Sequence, residues 1–280
     1  MIIDFHTHLF PADIRENREK YFADEPAFEM IYKAPGSNLA GASQIIDTMD
    51  EQQVDTSVIF GFPWQNPETF KKHNDYIIES VIKYPNRLIG FACFNISDKG
   101  IDRETERCLN AGLSGVGELA LYTSGLAEES IKFLEPVMEI CRKNDVPLLL
   151  HTNEPVGHKY PGKAPITLTQ IYAFIKRFPE NKIVLAHWGG GIFFYTLMKK
   201  EVTETLKNVF FDTAASPFLY RPDIYDAAKK YAGIDKILFG SDFPLLKPER
   251  YFKELEQTEL TGEDIENIKG INASKLLGRK

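Results

Sequence analysis

The chain has 280 residues, of which 43% are hydrophobic and 26% are charged, and its formal net charge at pH 7 is -7. This composition is ordinary for a soluble globular protein with a large core, and the length suits one or two domains. No block of lysine or arginine stands out along the chain. The charge therefore indicates neither a nucleic-acid partner nor an anionic membrane surface.

The cysteines point to a reducing compartment. Cys93, Cys108 and Cys141 are odd in number and widely spaced, which argues against a disulfide framework. The first residues have neither the basic nor the apolar region of a signal peptide. No apolar run approaches the roughly 20 residues that cross a bilayer. A cytoplasmic protein without a membrane partner is expected.

Short apolar runs bounded by turn residues predict the strands. Most of the runs are continuous rather than alternating, which is typical of parallel strands buried on both faces. In chain order they cover residues 2–5, 56–62, 88–94, 115–119, 147–150, 183–186, 209–211 and 237–239. Between them, apolar residues at helical spacing predict helices over residues 43–53, 68–83, 129–142, 169–177 and 223–231.

Repeated alternation of strand and helix predicts an α/β fold, a (β/α)8 TIM barrel that forms a single domain over residues 1–280. A doubly wound open sheet is the competing architecture. It usually carries a glycine-rich phosphate turn after an early strand, and no such turn follows Phe5 or Phe62.

Two further segments have predicted roles at the ends of the barrel. Residues 11–41 form a connection that is long for a strand and its helix, and they are rich in Phe, Tyr, Pro and charge. Loops of that length usually carry function, so this segment is predicted to be a lid over the barrel mouth. Residues 261–277 predict a capping helix followed by a short apolar anchor.

Side chains that can bind metal follow five of the predicted strands. Active residues of such barrels lie at the C-terminal ends of the strands. Neutral imidazoles and carboxylates are the usual ligands of zinc and similar ions. The pattern therefore predicts a site for one or two divalent ions, zinc first among them. Its predicted ligands are His6, His8, Glu118, His151, His187 and Asp242.

Each of these residues alone has a simpler explanation. A single histidine after a strand is more often a hydrogen-bonded structural residue, and Asp242 could cap a helix. Their joint occurrence at one barrel end favours the metal site. Asp212 closes the seventh strand and is predicted to accept a hydrogen bond behind the ligands.

Two other residues have structural predictions. Asp4 has the parity of His6 and His8, so it should point inward beneath them, in a structural role or as a support of the ligands. His73 follows Lys72 in a predicted helix and is expected at the surface.

With these residues assembled, nearly the whole chain resembles the amidohydrolase superfamily, and within it the branch called amidohydrolase family 2. The resemblance implies a metal-dependent TIM-barrel hydrolase or a metal-dependent decarboxylase. The motifs that carry it are Asp-Phe-His6-Thr-His8, His151, Ala-His187-Trp-Gly-Gly, Gly-Ser-Asp242-Phe-Pro, the run Pro85 to Phe91 and the terminal Asn272 to Leu277.

Glu118 is the residue that separates the two reactions at this stage. It resembles the fourth-strand glutamate that ligates metal in the TatD-like deoxyribonucleases, whereas the decarboxylases of the branch usually have no acidic ligand there. The other explanation is a glutamate paired with a cationic side chain. The resemblance of Glu118 therefore favours hydrolysis.

The expected function is hydrolysis of a small ester, lactone or amide by metal-activated water, with Asp242 as the general base. The alternatives are decarboxylation of a small aromatic or dienoic acid, and a non-catalytic metal- or ligand-binding barrel. Trp188 and Tyr122 are predicted to contact the substrate, and Arg221 to clamp a carboxylate. The expected partner is a small molecule, and a homodimer is left open.

Overall fold

Eight parallel strands form the inner wall of the protein in a computed structural model that describes residues 1–279. Every strand predicted from an apolar run is present, with differences only at the ends. They are β1 (Ile3–His8), β2 (Thr56–Phe60), β3 (Leu88–Gly90), β4 (Val116–Leu119), β5 (Leu148–Leu150), β6 (Ile183–Leu185), β7 (Val209–Asp212) and β8 (Ile237–Leu238).

The strands follow one another in chain order around a closed barrel. Continuous ladders join β1 to β2 and β3, and join β4 through to β8. Two parallel bridges close the remaining seams, Ala92 with Val116 and Thr7 with Phe243. At the second seam the Phe5 N–H also donates to the Phe239 carbonyl at 2.8 Å. The predicted (β/α)8 architecture is confirmed.

Helices occupy the connections between the strands. They are α1 (Ala12–Glu16), α2 (Pro26–Tyr32), α3 (Ala42–Gln52), α4 (Pro67–Lys83), α5 (Ile101–Asn110), α6 (Glu128–Lys143), α7 (Leu168–Arg177), α8 (Lys200–Thr205), α9 (Ser216–Leu219), α10 (Asp223–Tyr231), α11 (Glu249–Leu255), α12 (Gly262–Glu266) and α13 (Asn272–Leu276). Shorter 3-10 turns cover Arg18–Tyr21 and Ile234–Lys236, a helical segment covers His187–Leu197, and a π turn covers Asn267–Ile271. The five predicted helices are present. Helix α5 was not predicted because it buries few apolar side chains, among them Ile101 and Cys108.

The apolar core has an inner and an outer part. The inner part fills the barrel below the C-terminal ends of the strands. Helix α13 closes the barrel from beneath with Ala273 and Leu276, which is the position expected for the short apolar anchor. The outer part lies between the strands and the helices. Burial of one large aliphatic or aromatic side chain contributes roughly 1.5–3 kcal/mol, so this double core supplies the main stabilising term. The inner part consists chiefly of Ile3, Phe5, Val58, Phe60, Ile89, Phe91, Leu149, Val184, Ala186 and Leu238.

The first strand is irregular, and this changes the position of Asp4. Its register against β2 shifts between Asp4 and Thr7, while Phe5 packs inside the barrel. The Asp4 carboxylate accepts hydrogen bonds from the Ser241 N–H at 2.8 Å, from the Ser241 hydroxyl and from the His6 N–H. The prediction that Asp4 lies beneath the histidines is wrong, because parity holds only along a regular strand.

The long connection after β1 is tied to the barrel mouth. The Glu25 carboxylate accepts hydrogen bonds from the N–H groups of Gln65 and Asn66, both at 2.9 Å, in the loop after β2. The Arg18 guanidinium donates to the carbonyl of Tyr32 at 3.1 Å. The segment therefore has a defined position over the loop after β2, and its role as a lid stays a prediction.

Cys93, Cys108 and Cys141 are buried free thiols. Separately, no helix within residues 1–279 is both long enough and apolar enough to cross a membrane.

The packing of β3 against α4 generates a stability prediction at Gly90. A Cβ atom there would lie 2.5 Å from Leu113 Cδ2 and 2.8 Å from Ile77 Cγ2. Overpacking of this kind costs about 1–3 kcal/mol. We expect Gly90→Ala to lower the urea midpoint of unfolding accordingly.

Gly36→Ala is the matched control, since its added Cβ would meet no atom within 4 Å. Exposed substitutions usually change stability by no more than about 0.5 kcal/mol. Equal midpoints for the two variants would contradict the close packing at Gly90.

Candidate metal centre

The six predicted ligands converge at the C-terminal ends of five strands. They form three overlapping groups, and within each group the candidate ligand atoms lie within 4.8 Å of one another. Every one of the six belongs to at least one group. The groups are His6, His8 and Glu118; His6, His187 and Asp242; and Glu118, His151 and His187.

Glu118 occupies the centre of this cluster. Its Oε1 atom lies 2.9 Å from His151 Nδ1 and 3.5 Å from His187 Nε2. Its Oε2 atom lies 3.8 Å from the Nε2 atoms of both His6 and His8. One carboxylate oxygen therefore faces each pair of imidazoles, which is an arrangement that could bind one ion or bridge two.

Asp242 completes the half of the cluster that contains β1. Its Oδ1 atom lies 3.1 Å from His8 Nε2 and 3.5 Å from His6 Nε2. Its own N–H donates to the His6 carbonyl at 2.9 Å. The backbone that closes the barrel between β8 and β1 thus also brings this carboxylate to the two histidines.

The outward-facing nitrogens of three histidines are held by acceptors. His6 Nδ1 lies 2.8 Å from Asp212 Oδ2, His187 Nδ1 lies 2.9 Å from the Ala214 carbonyl, and His151 Nε2 lies 2.9 Å from the Gly162 carbonyl. When the imidazole is neutral, an acceptor there holds the proton on the outer nitrogen and leaves a lone pair on the inner one. This is how histidines that bind metal are usually oriented.

Asp212 has the predicted supporting position. Besides His6, its carboxylate accepts a hydrogen bond from the His187 N–H at 2.9 Å. One carboxylate on β7 therefore orients two of the candidate ligands. His8 is the exception among the four histidines, because its buried Nδ1 has no partner within residues 1–279.

The electrostatics of the cluster require a compensating positive charge. Burial alone would lower the pKa of His6, but the charges of Asp212, Glu118 and Asp242 raise it to about 10. For His187, burial is likewise outweighed by a hydrogen bond that it donates to Glu118 and by the charge of Asp242, and the pKa rises to about 9. Buried carboxylates need protons or a cation nearby. Since all six donors are imidazoles or carboxylates, the site fits a divalent ion.

Of the predicted substrate contacts, only Tyr122 lies at the cluster. Its ring centroid is 5.0 Å from that of His151. The prediction for Trp188 is wrong: the ring is fully buried, and its Nε1–H donates to Ser216 Oγ at 3.0 Å. The backbone turns left-handed at Trp188, with φ of 63°, so strand alternation no longer describes where the ring lies.

Arg221 is not brought to the site either. Its side chain is 86% exposed, and its guanidinium pairs with Asp223 at 3.2 Å. Arg221 lies in a loop, where no strand fixes the direction of its side chain. Its position in the sequence therefore could not show whether it reaches the substrate.

His73 was predicted at the surface, and this is wrong. The Trp64 Nε1–H donates to His73 Nδ1 at 2.8 Å, and His73 Nε2–H donates to the Leu9 carbonyl. Burial lowers the pKa of His73 to about 4, which keeps it neutral. The signal was present in the sequence, because Phe70, His73 and Ile77 share one face of α4.

Tyr32 also lies near the cluster, a position that the sequence did not predict. It ends α2 in the segment after β1 and is only 8% exposed. Burial raises its pKa, and the charges of Asp242 and Glu118 raise it further, because the phenol lies near the cluster. No local pattern could have connected Tyr32 to the strand ends.

Known proteins resemble this chain along most of its length. A family model described as amidohydrolase matches residues 3–279. The gamma-resorcylate decarboxylase of a Polaromonas species is 26% identical, over 75% of this chain and 76% of the relative.

Two solved structures share the fold along the whole chain. One is a 5-carboxyvanillate decarboxylase of Sphingomonas paucimobilis, with a TM-score of 0.78, 16% identity and coverage of 100% of this chain and 99% of that one. The other is a Polaromonas dihydroxybenzoic acid decarboxylase with bound manganese and 2-nitroresorcinol, with a TM-score of 0.71, 19% identity and coverage of 99% and 96%. At these identities the likeness shows the fold.

The Asp212 contacts generate a prediction about metal binding. Asp212→Asn removes the charged acceptor behind His6 and is expected to weaken Mn²⁺ binding by about 10- to 100-fold. Titration of the metal-free protein with Mn²⁺ measures this effect. Asp47→Asn, at an exposed position of α3, is the control and should bind as the unaltered protein does. An unchanged affinity for Asp212→Asn would exclude a supporting role.

The raised histidine pKa values predict proton release when metal binds. Below pH 9, His6 and His187 are protonated in the metal-free protein, since their pKa values are about 10 and 9. Ligation requires neutral imidazole, so binding must displace these protons. We expect Mn²⁺ affinity to rise as the pH increases from 6 to 9, with protons released into weakly buffered solution. An affinity independent of pH would rule out these two residues as ligands.

Proposed function

The chain belongs to the amidohydrolase family, whose model spans residues 3–279, and we propose that it is a metal-dependent decarboxylase of a small aromatic carboxylic acid. One observation carries the metal dependence of the proposed reaction, and the relatives support its type. Four imidazoles and two carboxylates face one small volume at the barrel mouth. The outer nitrogens of three of these histidines are held by acceptors that leave the inner nitrogens free to bind metal.

The hydrolase predicted from the sequence is wrong. The curated relative and the two solved structures described above are decarboxylases of aromatic acids. Glu118 was the residue that favoured hydrolysis. In the structure it bonds to His151 and faces three other imidazoles. Such a carboxylate can hold an ion for either reaction, so its presence does not separate them.

We propose the following division of the ligands. His6, His8 and Asp242 would hold one ion, and Glu118 would bind the same ion or contact a second one that His151 and His187 would hold. The supporting distances run from 2.9 to 3.8 Å around Glu118. Only the types of donor atom support zinc as the bound metal, and a related structure holds manganese instead. Imidazole and carboxylate donors accept both metals.

When bound, a divalent ion supplies the positive charge that orients and binds the substrate carboxylate. Asp242 is the residue that we propose to move the proton. Its side chain is 12% exposed, against 3% for Glu118 and 0% for Asp212, so it is the most open carboxylate of the cluster. An open carboxylate can exchange protons with water and still reach the substrate.

The reaction then balances with one proton. The bond between the ring carbon and the carboxylate carbon breaks, and carbon dioxide leaves. The electron pair of that bond stays on the ring carbon, which takes up one proton that comes from water. Although burial opposes it, the charge of His6 lowers the pKa of Asp242, so this residue is a carboxylate that relays the proton. General acid catalysis of this kind contributes about 10²- to 10⁴-fold.

The proposal is tested with protein loaded with Mn²⁺ or Zn²⁺ and a panel of hydroxybenzoates. We expect release of carbon dioxide and the matching phenol, loss of activity on chelation, and recovery when metal is returned. Asp242→Asn should lower kcat by about 10²-fold or more, while Asp47→Asn should leave it unchanged. Fully loaded protein that releases no carbon dioxide from any acid of the panel would refute the proposal.

A further inference from the structure

One hydroxyl group behind the metal centre binds the backbone at the ends of two strands, and we infer that Tyr251 positions Asp242 and His187 for metal binding. The inference rests on the metal centre of the proposed function and adds a residue that is not among the six candidate ligands. The Tyr251 hydroxyl bonds to two backbone groups, one from each strand end. Tyr251 is therefore a positioning residue that acts through the backbone.

Tyr251 reaches the strand ends from the outer layer of helices. It lies on α11 and is fully buried, and its ring packs edge-on against Phe239 with the centroids 5.7 Å apart. Its hydroxyl donates to the Ser241 carbonyl at 2.6 Å and accepts from the Ala215 N–H at 2.9 Å. Burial raises the pKa of this phenol well above its ordinary value, so the hydroxyl keeps the proton that it donates. One oxygen atom thus joins the chain after β7 to the chain after β8.

The first bond fixes the peptide group between Ser241 and Asp242. A peptide group is planar, so its carbonyl and its N–H turn together. Tyr251 binds the carbonyl of this group. The N–H of the same group donates to the His6 carbonyl at 2.9 Å. Because both ends of the plane are bound, the direction in which the Asp242 carboxylate leaves the backbone is fixed.

The second bond fixes the peptide group between Ala214 and Ala215 in the same way. Tyr251 binds the N–H of this group, and its carbonyl lies 2.9 Å from His187 Nδ1. That carbonyl is the acceptor that orients the His187 imidazole, so the tilt of the plane decides where the inner nitrogen of the ring points. His187 and Asp242 belong to the same group of candidate ligands. One hydroxyl therefore supports two members of that group.

The backbone at these positions is strained, which explains why it needs such support. The φ angle is 55° at His187, 56° at Ala215 and 60° at Asp242. Residues with a Cβ atom rarely adopt this left-handed conformation, and it persists only where the surroundings hold it. The N–Cα bonds of Ala215 and Asp242 both begin at a peptide plane that Tyr251 binds. Without the hydroxyl, both residues could relax toward ordinary φ angles, and the Asp242 carboxylate and the acceptor of His187 would move with them.

The test uses Tyr251→Phe, which removes the hydroxyl and keeps the buried ring. Tyr76→Phe is the matched control, because the Tyr76 hydroxyl also accepts a backbone N–H, that of Ala42 at 3.2 Å. Ala42 begins α3, a helix that carries no candidate ligand. Each metal-free protein is titrated with Mn²⁺, and electron paramagnetic resonance gives the Kd and the spectrum of the bound ion. Circular dichroism and thermal midpoints show that each variant is folded.

We expect Tyr251→Phe to raise the Kd for Mn²⁺ by about tenfold or more, as removal of a group behind metal ligands usually does, and to change the spectrum of the bound ion. Tyr76→Phe should lower the thermal midpoint and bind Mn²⁺ as the unaltered protein does. A merely structural Tyr251 would behave like Tyr76, with a lower midpoint but the same Kd and spectrum. That result would overturn the inference.

A second variant tests the strain and counters poor folding of Tyr251→Phe. Glycine adopts left-handed φ angles readily, so Ala215→Gly in the Tyr251→Phe background should raise the thermal midpoint and restore part of the Mn²⁺ affinity. A double variant that binds no more tightly than Tyr251→Phe would contradict the inference.

These measurements require no turnover, so they separate this inference from the proposed reaction. Unaltered protein that binds Mn²⁺ but releases no carbon dioxide would refute the decarboxylase, and the comparison of Kd values would still decide the role of Tyr251. Unaltered protein that binds no Mn²⁺ would refute the metal centre and this inference together.

Discussion

The need to compensate buried charge is the constraint on which this molecule depends. Glu118 lies between two pairs of imidazoles, and Asp242 lies against one of those pairs. Carboxylates removed from water are tolerated only beside opposite charge and hydrogen-bond donors. The histidines can serve this purpose because Asp212 and two backbone carbonyls fix their outer nitrogens. The fold must therefore position acceptors as well as ligands.

Closure of the barrel satisfies that requirement. The hydrogen bond from the Asp242 N–H to the His6 carbonyl joins the ends of β8 and β1, and it also brings their ligands together. Below the site, Phe5 and Phe91 pack edge to face inside the barrel and hold the strands apart at a fixed spacing. The ligands lie at the ends of strands rather than within loops. Apolar packing inside the barrel therefore determines the distances between the ligand atoms at its mouth.

The ligand cluster is charged, whereas the residues around it are neutral and aromatic. Charge is concentrated in the ligands, whereas Phe62, Tyr122 and Tyr32 supply a neutral aromatic wall. Two of these rings come from short connections after β2 and β4, and the third comes from the long connection after β1. Loops on a rigid scaffold can change the substrate while the strands keep the metal site.

The sequence by itself determined the strands, most helices and the six candidate ligands, because these depend on local apolar runs and on the residue that follows each run. It could not place Asp4 or Trp188, since an irregular register in β1 and a left-handed turn after β6 interrupt strand alternation. His73 was predicted at the surface because a charged residue, Lys72, precedes it. It is buried because it lies on the apolar face of α4. The aromatic surroundings of the ligands were decided by the tertiary structure alone. They come from residues as distant along the chain as Tyr32 and Tyr122, and only long-range packing against Phe62 brings these together.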